Sequence, residues 1–239
     1  MVCSFVHPEK IKEWIEICNL MKTLDNRVCF KFTSKALTVQ MIHPSKQSVL
    51  DMVFPKDWFH QYDWKESEFY ISTKSLYTIF SLYSGENMMS MESQNKFMNI
   101  KFFHENHTKN FSIPLQAQPS KSIVIEPEKG IHICIESIYF HSLCEELYKF
   151  GDILLFNIKK DFFHMVSYGN EKMVIEINPT KIEVLTEGEC EQSYPLLYLL
   201  FFLKFSVVYP KVSVHIHKNL HLSIEKGYTL NYYLANSKS

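Results

Sequence analysis

One pattern is written twice in this chain, and that repetition constrains its fold more than any other feature. Residues 28–54 alternate apolar and polar side chains with the two-residue period of strands: VCFKF, a turn at TSKA, LTVQMI, a loop at HPSKQ, then SVLDMVF. Ahead of them an amphipathic helix opens at Pro8. It would bury Ile11, Trp14, Ile15, Cys18, Met21 and Leu24 and leave Lys10, Lys12, Glu13, Glu16, Asn19 and Lys22 on the rest of its surface. Residues 137–177 repeat the order. SIYFHSLCEELYKF puts Phe140, Leu143, Cys144 and Leu147 on one helical face, and strands DILLFNI, FFHMVS and KMVIEIN follow, divided by KKD and YGNE. Each half then closes with a second helix, TKSLYTIFSLYS or SYPLLYLLFFLKFS, and a hairpin, MMSMESQNKFMNIKFF or KVSVHIHKNLHLSIE.

Two copies of one unit account for this economically. Two helices and a run of antiparallel strands per copy imply an α+β chain with a layer of helices packed on sheet in each half. The expected domains are 1–116 and 131–239. The segment 117–130, with two prolines and the short aliphatic patch Ile123–Ile125, reads as the connector between them.

The fourth helix is the odd one. Ser193 and Pro195 look like a helix start, and almost every side chain from Leu196 to Leu203 is apolar. A membrane span needs roughly 20 apolar residues, and Lys204 and Pro210 cut this run short. It reads as a helix buried by its own sheet and its neighbouring helix. The first residues show no basic start followed by an apolar core and a small-residue cleavage site, so the expectation is an intracellular, non-secreted chain with no membrane partner. The six cysteines show no C-x-x-C pair, which fits reduced, mostly buried thiols.

Charge and motifs remove several function classes. With 25 basic against 26 acidic residues, the net charge is -1, so nucleic-acid binding would have to rest on local placement. No glycine-rich phosphate loop or nucleophile elbow is present. His215 and His217 share a strand face with His221 nearby, but histidines on half-exposed strands usually face water. His104 and His107 lack the helical spacing of a zinc protease motif. No nucleophile–base arrangement stands out, and neither an enzyme nor a cofactor is expected. The abundant aromatics alternate with other apolar residues in strands, so they read as core and not as a base-stacking surface.

Four segments carry a family resemblance. FHSLCEELYKFGD (140–152) fits F-x-x-x-C-x-x-L-x-x-x-G-D, LLYLLFFLKFS (196–206) is similar to a fourth helix with its lysine, LNYYLAN (230–236) resembles a closing Y-Y-L-A strand, and WFHQY (58–62) keeps F-x-x-Y. In this order and spacing they resemble the sliding clamps of the proliferating cell nuclear antigen (PCNA) family. The resemblance implies a ring of three subunits with helices lining the hole and sheets outside, closed by a repeated head-to-tail contact. Edge strands would pair between copies, the strand near Asn110–Pro114 with that near Lys172–Ile177, so that Phe111, Ile113, Met173 and Ile175 fall in the subunit interface.

Such a ring holds duplex DNA by topology, touching phosphates and not bases. By resemblance and helix geometry Lys12, Lys22, Lys149 and Lys204 are the DNA-facing candidates. Where the family carries basic residues this chain has Ile15, Glu16, Thr78, Ser81, Ser142 and Glu145, and Leu200 and Leu203 stand where polar residues would face the hole. The resemblance also implies a pocket for a short partner peptide, made here by Ile42, Val49, Val124, Ile125, His221 and Tyr233. His221 and Asn236 replace two family prolines. The partners expected are double-stranded DNA, DNA polymerase, other proteins with a clamp-binding motif, a clamp loader and two further copies of the chain, acting in replication and repair in the nucleus or wherever DNA is copied. Two alternatives stand beside this homotrimer: a subunit of a heterotrimeric checkpoint-type clamp, and a clamp-fold scaffold or transcription cofactor that no longer encircles DNA.

Overall fold

The structure, a computed structural model, describes residues 1–116, 123, 125, 130–207 and 209–237. The first half runs β1 (Val2–Phe5), α1 (Pro8–Leu24), β2 (Arg27–Phe32), β3 (Ala36–Ile42), β4 (Ser48–Pro55), β5 (Gln61–Asp63), β6 (Ser67–Ser72), α2 (Thr73–Phe80), β7 (Met88–Gln94), β8 (Phe97–Phe103) and β9 (Thr108–Pro114). The second half repeats it: β10 (Ile131–Glu136), α3 (Ser137–Tyr148), β11 (Ile153–Lys159), β12 (Phe162–Tyr168), β13 (Lys172–Glu176), β14 (Ile182–Thr186), β15 (Cys190–Pro195), α4 (Leu196–Leu203), β16 (Lys211–Ile216), β17 (Leu220–Glu225) and β18 (Thr229–Leu234).

Hydrogen bonding repeats as faithfully as order. In the first half one sheet runs β5-β1-β7-β8-β9 and a second run is β4-β3-β2-β6; in the second half the counterparts are β14-β10-β16-β17-β18 and β13-β12-β11-β15. By compactness the chain divides into one unit of Met1–Pro44, Leu50–Ile123 and Glu225–Thr229, and another of Ser45–Val49, Val124–Ile224 and Leu230–Ser239.

In the first unit α1 packs beside α2 and against β1, β3 and β7. All six residues assigned to its apolar stripe are buried, and Ile17 joins them. Trp14 is the centre of an aromatic cluster, its ring 5.8 Å from Phe5, 5.1 Å from Phe54 and 6.0 Å from Trp58, while Tyr228 stacks on Phe54 at 4.6 Å. The β7–β8 hairpin turns on Asn95 and Lys96, with φ of 50° and 66°. Two consecutive positive φ values give the turn whose twist matches the flanking strands.

In the second unit α3 packs on α4 and on β10, β11 and β12. Its buried face is Phe140, Leu143, Cys144 and Leu147, as the periodicity predicts. The start of α4 differs from expectation. Ser193 and Pro195 belong to β15, the Ser193 hydroxyl lies 2.6 Å from that of Ser237, and the helix has no side-chain cap. Its first amide is satisfied instead by the Asp152 carbonyl, at 2.8 Å. Residues that cap helices also end strands, and here the strand wins them. The apolar helix is eight residues long and buries Leu196, Leu199, Phe202 and Leu203 in its own unit. Among the described residues no helix is long and apolar enough to cross a membrane. None of the six cysteines is disulfide-bonded, and burial pushes the thiols of Cys3, Cys18 and Cys144 well up.

Candidate functional site

The residues expected to form sites fall on three surfaces: the outer faces of the helices, two sheet edges, and the neighbourhood of the expected peptide pocket. On the helices Lys12, Lys22, Lys149 and Lys204 are all exposed. Lys22 Nζ lies 3.6 Å over the Tyr77 ring of α2, and Lys204 Nζ is 5.4 Å from Phe201. Lys10 is withdrawn from this face, donating to the Trp58 carbonyl at 2.7 Å.

Carboxylates nearly cancel these charges. In the first unit Lys12, Lys22 and Lys74 share exposed helical surface with Glu9 and Glu16; in the second Lys149 and Lys204 share it with Glu145 and Glu146. The neutral substitutes are folded back on their own helices: Thr78 bonds the Lys74 carbonyl, Ser81 that of Thr78 and Ser142 that of Tyr139. Glu145 sits 3.6 Å from His141 one turn earlier.

Two residues set against the lining positions belong elsewhere. Ile15 and Leu203 are 7% and 1% exposed and pack in the cores of their units, so neither replaces a charge on the helical surface. Leu200 is half-buried. Among the described residues the large apolar side chains that reach solvent from the second unit's helices are Ile138, Leu197 and Tyr148, the first two at 60% and 43% exposure. Sequence periodicity could have found Ile138, since it stands opposite Phe140 on α3.

The two strands assigned to subunit contact both end their sheets, β9 in the first unit and β13 in the second. On β9 Ile113 is buried, and Phe111 is half-buried with its ring 5.8 Å from Phe102. On β13 Met173 and Ile175 are half-buried, and Val174 between them is exposed. The sequence does not single out Val174, because alternation alone does not say which face of an edge strand is covered.

Among the pocket residues, Ile42 is half-buried at the end of β3 in the first unit. Val49, Ile125, His221 and Tyr233 belong to the second, and Val124 lies outside the described residues. The first unit contributes a feature the sequence did not announce: Gln40 Nε2 donates to the Ile123 carbonyl and its Oε1 accepts from the Ile123 amide, both at 3.0 Å. In the second unit His221 stacks on Tyr233 with centroids 4.5 Å apart, and its Nε2 lies 2.9 Å from Asn231 Oδ1.

That stack continues across the sheet. His132, His215, His221 and Tyr233, on four consecutive strands, are spaced 3.8, 4.8 and 4.5 Å. Burial, and then the neighbouring His132 and His221 rings, pull His215 down to about 4; burial lowers His221 also. His217 falls past the end of β16 and outside the stack. Among the described residues no group of three histidine, cysteine or carboxylate side chains is arranged to hold a metal ion.

A duplicated unit of two helices on antiparallel sheets, repeated in identical hydrogen-bonding order, is the architecture of a sliding clamp. The structure superposes over its whole length, with a TM-score of 0.84 and 16% identity, on all of a chain from the PCNA2–PCNA3 complex of Sulfolobus tokodaii. No family model matches the chain. It is 22% identical over 201 residues to a DNA polymerase sliding clamp of Methanococcus vannielii, covering 81% of this chain and 80% of that one. It is 21% identical over 225 residues, 90% of each chain, to the DNA polymerase sliding clamp of Methanococcus maripaludis C7. At these identities the likenesses show the fold of a sliding clamp.

Proposed function

We propose that this chain is a DNA sliding clamp, a non-catalytic ring that encircles duplex DNA and tethers DNA polymerase to it. The observation that carries the reading is the complete repetition of element order and sheet order, which supplies equivalent modules for a closed collar. The relatives' names as DNA polymerase sliding clamps support the same reading. In this proposal domains 1–116 and 131–239 are joined by the connector 117–130, and three copies close through β9 and β13, with Phe111 and Ile113 meeting Met173 and Ile175. Ile42, Val49, Val124, Ile125, His221 and Tyr233 hold partner peptides, a loader opens the ring, and the place of action is the nucleus or wherever the DNA is copied, in replication and repair. Lys12, Lys22, Lys149 and Lys204 face the duplex.

The near-neutral helical faces make retention topological. Few phosphates are neutralised, so the salt dependence is shallow, while encirclement persists whatever the affinity. Primer extension on a singly primed circle with loader and polymerase tests this: product length rises with the clamp, and cutting the circle releases the protein. Unchanged product length with a ring present would overturn the tethering role.

A second reading has one observation in its favour. The superposed chain comes from a complex of two different clamp proteins, and a subunit of a mixed ring would carry edges β9 and β13 suited to unlike neighbours. Mass in solution separates the two: three identical chains support the homotrimer, and a stable monomer supports the mixed ring.

A further inference from the structure

The register makes three residues in each half directly comparable. β5 ends at Asp63 and β6 begins at Ser67, while β14 ends at Thr186 and β15 begins at Cys190, so Trp64–Lys65–Glu66 corresponds to Glu187–Gly188–Glu189. Phe32 stands opposite Ser67 and Ile158 opposite Cys190, which makes those two equivalent as well.

In the first unit this position is plugged. Trp64 is 4% exposed, its indole lies on Phe32 with centroids 3.7 Å apart and planes 11° apart, and Nε1 donates to Ser67 Oγ at 2.8 Å. In the second unit the corresponding glutamate and glycine supply no ring. A cavity of about 700 Å³ opens there, floored by Ile131, Ile133, Ile158, Phe163 and Ile182. Asp161, Glu176, Glu187 and Glu189 stand around it, against Lys159 at the end of β11 and Lys160 on the turn that follows. Beside it β14 is the outermost strand of its sheet and exposes Val184 and Leu185.

We propose that this cavity receives an aromatic side chain from a partner protein, carried on an extended segment with lysine or arginine on either side, which supplies in trans the ring that Trp64 supplies in cis. The volume lies within the roughly 300–1,000 Å³ of ligand pockets. An apolar floor under a predominantly acidic mouth selects a hydrophobic anchor flanked by positive charge. The free edge of β14 offers main-chain partners to an extended segment. The cavity and its lining belong to the second unit, and the inference does not depend on the clamp reading.

The test follows isoleucine methyl resonances of the full-length chain while acetyl-Lys-Trp-Lys-amide is added, beside the Lys-Ala-Lys peptide and free indole. The tryptophan peptide should shift the methyls of Ile131, Ile158 and Ile182 to saturation, and the alanine peptide should not. Glu187→Trp fills the slot from within and should weaken peptide binding by at least about tenfold while raising the melting temperature. Joint Glu187→Lys and Glu189→Lys should weaken it about threefold. Equal shifts from both peptides, or binding untouched by Glu187→Trp, would overturn the proposal. So would indole binding as well as the peptide, which would make the slot a small-molecule site, or a response seen only on dilution, which would assign it to a neighbouring copy.

Discussion

Counted from equivalent points, the three tryptophans of the first unit meet very different residues in the second. Trp14 and Leu143 each lie seven residues past their helix cap, Trp58 and Lys181 each end a short 3-10 turn, and Trp64 and Glu187 each follow the strand next to that turn. One backbone plan has therefore been filled in two ways. The first unit closes itself with aromatic rings. At these three positions the second has one buried aliphatic side chain, Leu143, and two exposed charged ones, Lys181 and Glu187, where the first turns rings inward. A fold specified by strand order and helix stripes tolerates this, because hydrophobic patterning and total volume set the topology while the identity of the filling sets stability and leaves room for ligands.

The contrast is most severely tested at the helix. Trp14→Ala should cost about 4 kcal/mol and Leu143→Ala about 3 kcal/mol, read as urea midpoints, with tryptophan fluorescence reporting only the first unit. A smaller loss at Trp14 than at Leu143 would mean that the aromatic cluster is not what separates the units.

Trp64→Ala, which makes the first unit resemble the second, should cost about 3 kcal/mol and open a cavity on Phe32. Added indole should then recover part of the lost melting temperature. No recovery would show that the site collapses when its plug is removed.

Acid should distinguish the units next. His215 has a folded pKa of about 4. Below its ordinary pKa, about 6.5, the unfolded chain takes up a proton that the folded chain refuses. The second unit should therefore lose about 1 kcal/mol between pH 6.5 and 4, a figure reduced for the solvent reaching this half-buried ring. His215→Phe, which keeps the stack, should flatten that limb. Glu86 works at a lower pH in the first unit. Burial pushes its carboxyl up, but hydrogen bonds from Lys109, at 2.5 Å, and from Ser84 outweigh this and hold it at about 2. Its stabilisation is present above its ordinary range and is lost only as pH falls toward 2. Tryptophan fluorescence should thus stay native at a pH where second-unit methyl signals have already moved.

The smallest effect belongs to the helical lysines. Lys204→Ala should change retention on closed circular DNA less than twofold, since one exposed charge among near-cancelling neighbours contributes little. A tenfold loss would replace topology with affinity as the source of retention.

Much of this layout could be read from the residues. The stripes of α1 and α3 announced themselves because apolar residues recurred every three or four positions, and the hairpins because turn residues separated alternating runs. The short strands β1, β5, β10 and β14 did not, since three to six residues, at a sheet edge or next to it, leave too little periodicity to separate from loop. For Ile15 the α1 stripe points to the core and the family pattern to the lining, and burial decides for the stripe; Leu203, a lining position by the family pattern, is buried as well. The empty slot was invisible for another reason: that Trp64 and Glu187 correspond depends on strand ends, and those come from hydrogen bonds and not from the order of letters.

Gln40 uses the two ends of its side-chain amide on Ile123 as a neighbouring strand would use its peptide groups. Each such bond contributes about 1 kcal/mol net, and the contact is exposed to water. Water, or any other amide, can take over both bonds, so the pair ties Ile123 to β3 only weakly.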